Sequence, residues 1–408
     1  MPQSTVTFVR TTGGLGRSEP SVDGVTGLVM NAGATAPTGM ALNVSKRIIS
    51  LAQAETMGIT KAYDTAQSVL CNYHISEFFR RNPNGVLWLR LVAQGLTMTA
   101  MLAPANTYTK TLLAEADGKI QMLGVCMNPA SFYNPNITNG LDIDVGTAIQ
   151  NAQQLVVDER DNHRPIHVFI EGRSFTGLAA NVLDLRNLTL AAPNVSVVLA
   201  QDPDIAAVLP IYAKHAAMGT LLGDYSAAAV HERTDWAEGF KGIATSSRFT
   251  KIGLSSGLLN KAYSKIDLDT LIDKGYIFMV NHTGVAGHYW NGAGACVSRS
   301  SDYYCVPNNR VVNKAERLIY AAFVPKLNRP LDINTNGNLA PEVISHFEST
   351  AAKPLRQMQA DGEISNFAIY IDPAQNILAN SVLTVNVTIQ PKGYPEQIVV
   401  NIGLTAII

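Results

Sequence analysis

The sequence predicts a mixed α/β protein: an α/β body, a second core domain in the last third of the chain, and extended strand arms at both ends. Three observations point there. Between residues 141 and 280, continuous apolar runs alternate with helical stretches, the pattern of a sheet covered on both faces. Residues 313–371 carry two amphipathic helical patterns and then a strand. Both ends are rich in Val, Ile and Thr next to Gly and Pro, which are strand signals.

Residues 1–20 read as an N-terminal arm. Thr5, Val6, Thr7, Phe8 and Val9 alternate polar and apolar, then give way to Thr11-Thr12-Gly13-Gly14-Leu15-Gly16. Residues 21–140 form the N-terminal α/β part of the body. Gly27-Leu28-Val29-Met30 is a short apolar run, and residues 45–57 read as a helix with Ile48, Ile49 and Ala52 on one side. Residues 66–79 predict another helix, residues 86–91 a strand, and residues 120–127 a buried strand ended by Asn128-Pro129.

Residues 141–280 form a βαβ-like outer body. Asp142 or Asp144 is the candidate cap of a helix reaching Val157. Strands follow at 165–170, running into Glu171-Gly172, at 195–200, ending at Asp202-Pro203, and at 276–280, ending at Asn281. The Ala-rich stretch 205–230 is expected to be helical, with breaks at Pro210 and at Gly219 and Gly223.

Residues 281–390 are the second core domain. After an aromatic loop, Asn313 is the expected cap of a helix with Leu318, Ile319, Ala322 and Phe323 inward, ended by Pro325. Residues 341–360 place Val343, Phe347, Ala351, Leu355 and Met358 on one stripe, with a kink expected at Pro354. A strand at 367–371 precedes the last 27 residues, Val382 to Ile408, which contain only two charges, Lys392 and Glu396. They read as a strand, a Pro/Gly turn, and a second strand in the arm 391–408, carried by Ile398, Val399, Val400, Asn401, Ile402 and Leu404. A terminal strand this apolar is an aggregation hazard unless something pairs with it, and strand-like ends on flexible tethers suit exchange between subunits.

The chain has 408 residues, enough for two or three domains. Charged residues are 15%, against about 25% in average soluble chains. A large surface with so few charges suggests one covered by other protein. The net charge of −1 argues against nucleic-acid binding by bulk electrostatics. Cys71, Cys126, Cys296 and Cys305 form no Cys-x-x-Cys pair and read as reduced, buried thiols. Met1-Pro2-Gln3-Ser4 starts no signal peptide, and no stretch reaches the roughly 18 unbroken apolar residues of a membrane helix, so a soluble protein without direct membrane insertion is expected.

The chemical motifs are weak. Gly253-Leu254-Ser255-Ser256-Gly257 matches a nucleophile elbow and opens the alternative of an α/β hydrolase-like enzyme using Ser255, with Asp302 and His346 available downstream. A Gly/Ser loop is the plainer reading. His282 and His288, near Cys296 and Cys305, have the wrong spacing for a zinc helix and read as loop histidines. Gly13-Gly14-Leu15-Gly16-Arg17 lacks the Gly-Lys-Ser/Thr ending of a phosphate loop and reads as a hinge. Glu171-Gly172-Arg173 ends a strong strand, a position suited to an active site or to an inter-subunit ion pair. Lys353, Arg356 and His346 lie off the apolar stripe, on a face that is either solvated or meets a partner. No catalytic residue, metal or cofactor is assigned.

The C-terminal third also carries a resemblance. Gly287-His288-Tyr289-Trp290, Asn309-Arg310-Val311-Val312-Asn313-Lys314, Gly362-Glu363-Ile364, Asp372-Pro373-Ala374-Gln375-Asn376-Ile377-Leu378, and Pro391 with Glu396-Gln397-Ile398 occur in this order. Together they resemble the C-terminal domain of contractile tail sheath proteins, over roughly residues 275–408. Asn291-Gly292-Ala293-Gly294 departs from the more acidic, Thr-containing loop of that family. The resemblance implies a non-enzymatic structural subunit that polymerises helically around an inner tube by exchanging arm strands, and then contracts. It makes residues 5–10 and 398–407 inter-subunit strands and turns Lys353 and Arg356 toward the tube. It implies as partners the sheath neighbours, the inner tail tube protein, and baseplate and terminator proteins. It implies a virion tail or contractile particle assembled in the bacterial host cytoplasm.

Overall fold

The computed structural model describes residues 22–404, apart from residues 241 and 335–337. The fold is mixed α/β. Six strands form the main sheet: β1 (Thr26–Asn31), β2 (Ser45–Ile48), β3 (Leu87–Val92), β4 (Met122–Val125), β5 (His167–Glu171) and β6 (Val195–Val198), in the order β2-β3-β1-β4-β5-β6. Only β2 runs antiparallel, against β3. Every residue of β1, β4, β5 and β6 is buried, because helices cover both faces of the sheet. One sheet therefore takes strands from both sides of residue 140. At its far edge a parallel bridge from Val198 to Ile277 extends it. The expected strand at 276–280 is thus mostly one bridge, plus Met279–Val280 paired with Tyr289–Trp290.

Several expected elements change at their boundaries. Residues 45–57 are not one helix: the β-branched Ile48 ends edge strand β2, and Ser50 caps a short helix, Leu51–Thr56. Residues 66–79 divide into helix Lys61–Gln67 and helix α1 (Cys71–Arg81), because Ser68 turns left-handed at φ 55. Asp142 caps helix α2 (Ile143–Asp161) through the Asp144 N–H. Asp144 instead accepts the Met98 and Thr99 N–H groups at 2.7 and 2.8 Å, capping helix Met98–Leu102, which lies against α2.

Gly219 and Gly223 were expected as breaks, yet both lie inside helix α3 (Met218–Ala227). Their role is contact. A Cβ on Gly219 would sit 2.1 Å from the His74 carbonyl oxygen, and one on Gly223 would sit 2.7 Å from that of Phe78. Bare backbone at these two positions lets α3 lie directly on α1. Trp290 closes this layer by donating its indole N–H to Asp224 at 2.7 Å, while Arg81 pairs with the other carboxylate oxygen at 2.6 Å.

The C-terminal lobe has helices α4 (Val306–Phe323) and α5 (Pro341–Ala360) over an antiparallel pair, β7 (Asn366–Tyr370) and β8 (Asn386–Gln390). Asn313 is buried in the middle of α4 and does not cap it; the helix starts after Cys305 with Pro307 in its first turn. Pro354 stands inside α5. Val311, Ala315, Leu355, Met358 and Ile364 form the lobe's core with Phe367, Ile369, Val387 and Ile389.

Candidate assembly interface

Strands β7 and β8 half-bury one face and expose the other, with strict alternation along both. Phe367 opposite Ile389 and Ile369 opposite Val387 face the helices. Asn366, Ala368, Tyr370, Asn386, Thr388 and Gln390 face outward. Among the described residues this sheet has two strands and no third, so both edges offer main-chain donors and acceptors to a further strand.

The chain itself carries a segment of matching kind. Residues 398–404 form no strand, and their apolar side chains stand in solvent: Ile398 77%, Val399 71%, Val400 70%, Ile402 90% and Leu404 104% exposed. Among the described residues, the part of the expected terminal strand up to Leu404 is therefore unpaired, and the strand before it, β8, pairs with β7. Ile398, Val400, Ile402 and Leu404 alternate, so in an extended strand they share one face. Thr5, Val6, Thr7, Phe8 and Val9, and the Gly13–Gly16 hinge, lie outside the described residues.

The roots of both arms are tied down by charge. Asp23 receives Lys314 at 2.7 Å and Arg317 at 3.0 Å, both from α4, and Arg310 donates to its carbonyl. Lys314 also reaches Glu363 at 2.6 Å. At the other end, Glu396 receives Arg233 at 2.6 Å and lies 3.9 Å from Arg299. Burial pushes the Glu396 carboxyl up, but the Arg233 hydrogen bond and charge outweigh it and hold it below its ordinary value. The Tyr394 hydroxyl donates to the His231 carbonyl at 2.6 Å, and Arg233 lies over its ring.

Lys353 and Arg356 are exposed on α5, opposite its buried stripe, and take part in no ion pair among the described residues. His346 is exposed beside them, its ring meeting Phe347 edge-on.

The chemical motifs resolve into structural parts. Ser255 is fully buried, its hydroxyl donating to the Gly172 carbonyl and its N–H to Leu199. It follows the two-residue strand Gly253–Leu254 and leads into a turn, not a helix, so the elbow geometry is missing. Glu171 is 1% exposed and accepts the Met127 and Ala216 N–H groups at 2.8 Å each, with Arg173 at 3.7 Å in the same chain. That corrects both readings of this motif: it is an internal latch between loops. A cavity of about 410 Å³ opens beside it, lined by Tyr133, Arg173 and Lys214 among others. Its cations are engaged inward, Arg173 on the Met127 and Ile211 carbonyls and Lys214 on that of Ser256. Cys296 and Cys305 are buried, and burial pushes the Cys296 thiol up to about 12. His282 is exposed against Tyr289, and His288 contacts Asn281.

Comparison with known proteins places this geometry. The model for DUF2586, N-terminal domain, matches residues 3–293, and that for DUF2586, C-terminal domain, matches residues 302–406. No curated protein matches the chain. Among solved structures, the chain is similar to one from the anti-feeding prophage baseplate, at TM-score 0.62 and 13% identity, covering 99% of this chain and 100% of that one. It is similar to a chain of an extracellular contractile injection system, the PVC sheath complex in its contracted state, at TM-score 0.54 and 13% identity over 100% and 99%. The sheath tail protein from Desulfitobacterium hafniense matches at TM-score 0.52 and 10% identity over 95% and 100%. At these identities the shared property is the fold, which is that of contractile sheath proteins over nearly the whole chain.

Proposed function

We propose that this chain, which belongs to the DUF2586 family, is a structural subunit of a contractile tail sheath. The observation that carries the reading is that, among the described residues, one chain holds both a sheet of only two strands and an apolar arm that pairs with no strand. Each supplies what the other lacks, and geometry that leaves both open in one subunit is met by a neighbouring one. On this reading the arms, residues 1–20 and 391–408, add strands to sheets of adjacent subunits around the core domain at 281–390. Main-chain hydrogen bonds hold the subunits while the bodies move as rigid units. Contraction then repacks body against body, and the work comes from those contacts.

The partners proposed are neighbouring sheath subunits, the inner tail tube protein, and baseplate and terminator proteins. The location proposed is the tail of a virion or a related contractile particle, assembled in the host cytoplasm. Lys353 and Arg356, exposed and in no ion pair among the described residues, support a tube-facing role for α5.

Electron microscopy of the purified chain tests the reading. The full chain is expected to form striated hollow tubes or stacked rings, and a chain lacking residues 398–408 to stay folded but dispersed. Tubes from the truncated chain refute the arm assignment. Co-assembly with the tube protein that survives Lys353→Glu with Arg356→Glu refutes the tube-facing one.

A further inference from the structure

The two arm roots are clasped differently. Asp23 is held by two cations of α4, its carbonyl by a third, and all the partners are largely buried: the side chains of Asp23, Lys314, Arg317 and Glu363 are 16, 16, 17 and 9% exposed. Taking Asp23 away leaves the Arg317 guanidinium without its carboxylate in a mostly dry setting, which is costly. The Glu396 clasp is different. Glu396 is 39% exposed on its side chain. Arg233 also holds Asp235 through two bonds, of 2.8 and 2.7 Å. When Glu396 leaves, Arg233 keeps a carboxylate, so opening strands no buried charge. Arg233 and the His231 carbonyl sit in an irregular segment after α3, not in a helix or strand.

We infer that the Glu396 clasp is a releasable stop that sets the free length of the C-terminal arm. Closed, it pins Tyr394 and Glu396 to the body, and among the described residues the arm from Gln397 to Leu404 forms no strand or helix. Open, the next fixed point is the end of β8, where Ser365 Oγ donates to the Pro391 carbonyl at 3.0 Å. Release therefore adds the five residues 392–396, roughly 16 Å of extended chain at about 3.3 Å each. At the N-terminal root the Gly24 carbonyl, next to Asp23, already accepts the Ser226 hydroxyl at 2.6 Å, so release of Asp23 frees almost no further chain on the body side. In an assembly, which rests on the sheath reading above, this slack lets two subunits change spacing without breaking the strand they share.

Limited trypsin digestion of the full chain tests the clasp itself, because the Lys392–Gly393 bond lies inside the releasable stretch. Cleavage of a locally opened segment follows the open population. Glu396→Gln removes one charge at an exposed site and is expected to speed cleavage at Lys392 roughly tenfold, with other sites unchanged. Salt at about 0.5 M is expected to move the wild-type rate toward the variant's. Tyr394→Phe, which removes only the hydrogen bond to His231, is expected to give a smaller increase. Rates at Lys392 within twofold of wild type in both variants overturn the inference. Tubes of the Glu396→Gln chain are expected to show an altered axial repeat; an unaltered repeat overturns the proposed role in spacing. Faster cleavage with no tubes from any chain, wild type included, refutes the sheath reading and leaves the clasp standing.

Discussion

Replacing Ile402 with alanine should raise the concentration needed for polymerisation roughly thirtyfold, while Val399→Ala should change it by about twofold or less. The asymmetry follows from strand geometry. In an extended arm, Ile398, Val400, Ile402 and Leu404 point one way, and Val399, Asn401 and Gly403 the other. The first face is wholly apolar, so it is the one that an added strand would bury. Burying four such side chains is worth about 6–12 kcal/mol. Ordering the seven backbone residues 398–404 costs about 7–14 kcal/mol. The two nearly cancel, main-chain hydrogen bonds tip the balance, and one side chain becomes decisive. Ile402 is 90% exposed in the single chain, so almost all its area is available. Ile→Ala removes three carbons, about 2 kcal/mol, or roughly thirtyfold in affinity. The assay is the subunit concentration left in the supernatant after tubes are sedimented, across a dilution series. Thermal melting of the unassembled chains should be unchanged, since neither side chain packs in the single subunit. Equal effects of the two substitutions, or no effect of Ile402→Ala, refute the reasoning.

Two further predictions concern the body. Gly219→Ala should lower stability by about 1–3 kcal/mol or more, since its Cβ meets backbone atoms of His74 at 2.1 and 2.7 Å that cannot yield; Gly146→Ala, inside α2 with open space at its Cβ, should gain up to about 1 kcal/mol, and urea unfolding distinguishes them. Burial, together with the Arg310 charge, pushes His167 down to about 3. Above pH 6.5 its imidazole is neutral whether the chain is folded or not; below that the unfolded chain takes a proton that the folded one refuses. The wild type should therefore lose ground to His167→Gln by about 1.4 kcal/mol per pH unit as pH falls from 6.5 toward about 3, read as the difference between their unfolding midpoints. A difference that stays flat with pH refutes the assignment.

The sequence alone determined whatever depends on local pattern. Apolar runs marked β3, β4, β5 and β6 of the main sheet but not its edge strand β2, the stripe at Phe347, Ala351, Leu355 and Met358 marked α5, and the near-absence of charge after Val382 marked the arm. The resemblance in the last third pointed to the sheath fold. Only the tertiary structure decided what depends on partners distant in sequence. Gly219 and Gly223 look like helix breakers until α1 lies against them and needs their missing side chains. Asn313 looks like a cap until Pro307 starts the helix two turns earlier. Ser255 and Glu171 look like chemistry until burial shows each bound to backbone groups of other loops. The clasps on Asp23 and Glu396 join residues 291 and 163 positions apart. No periodicity encodes such pairs, because a charge finds its partner through the folded body and not along the chain.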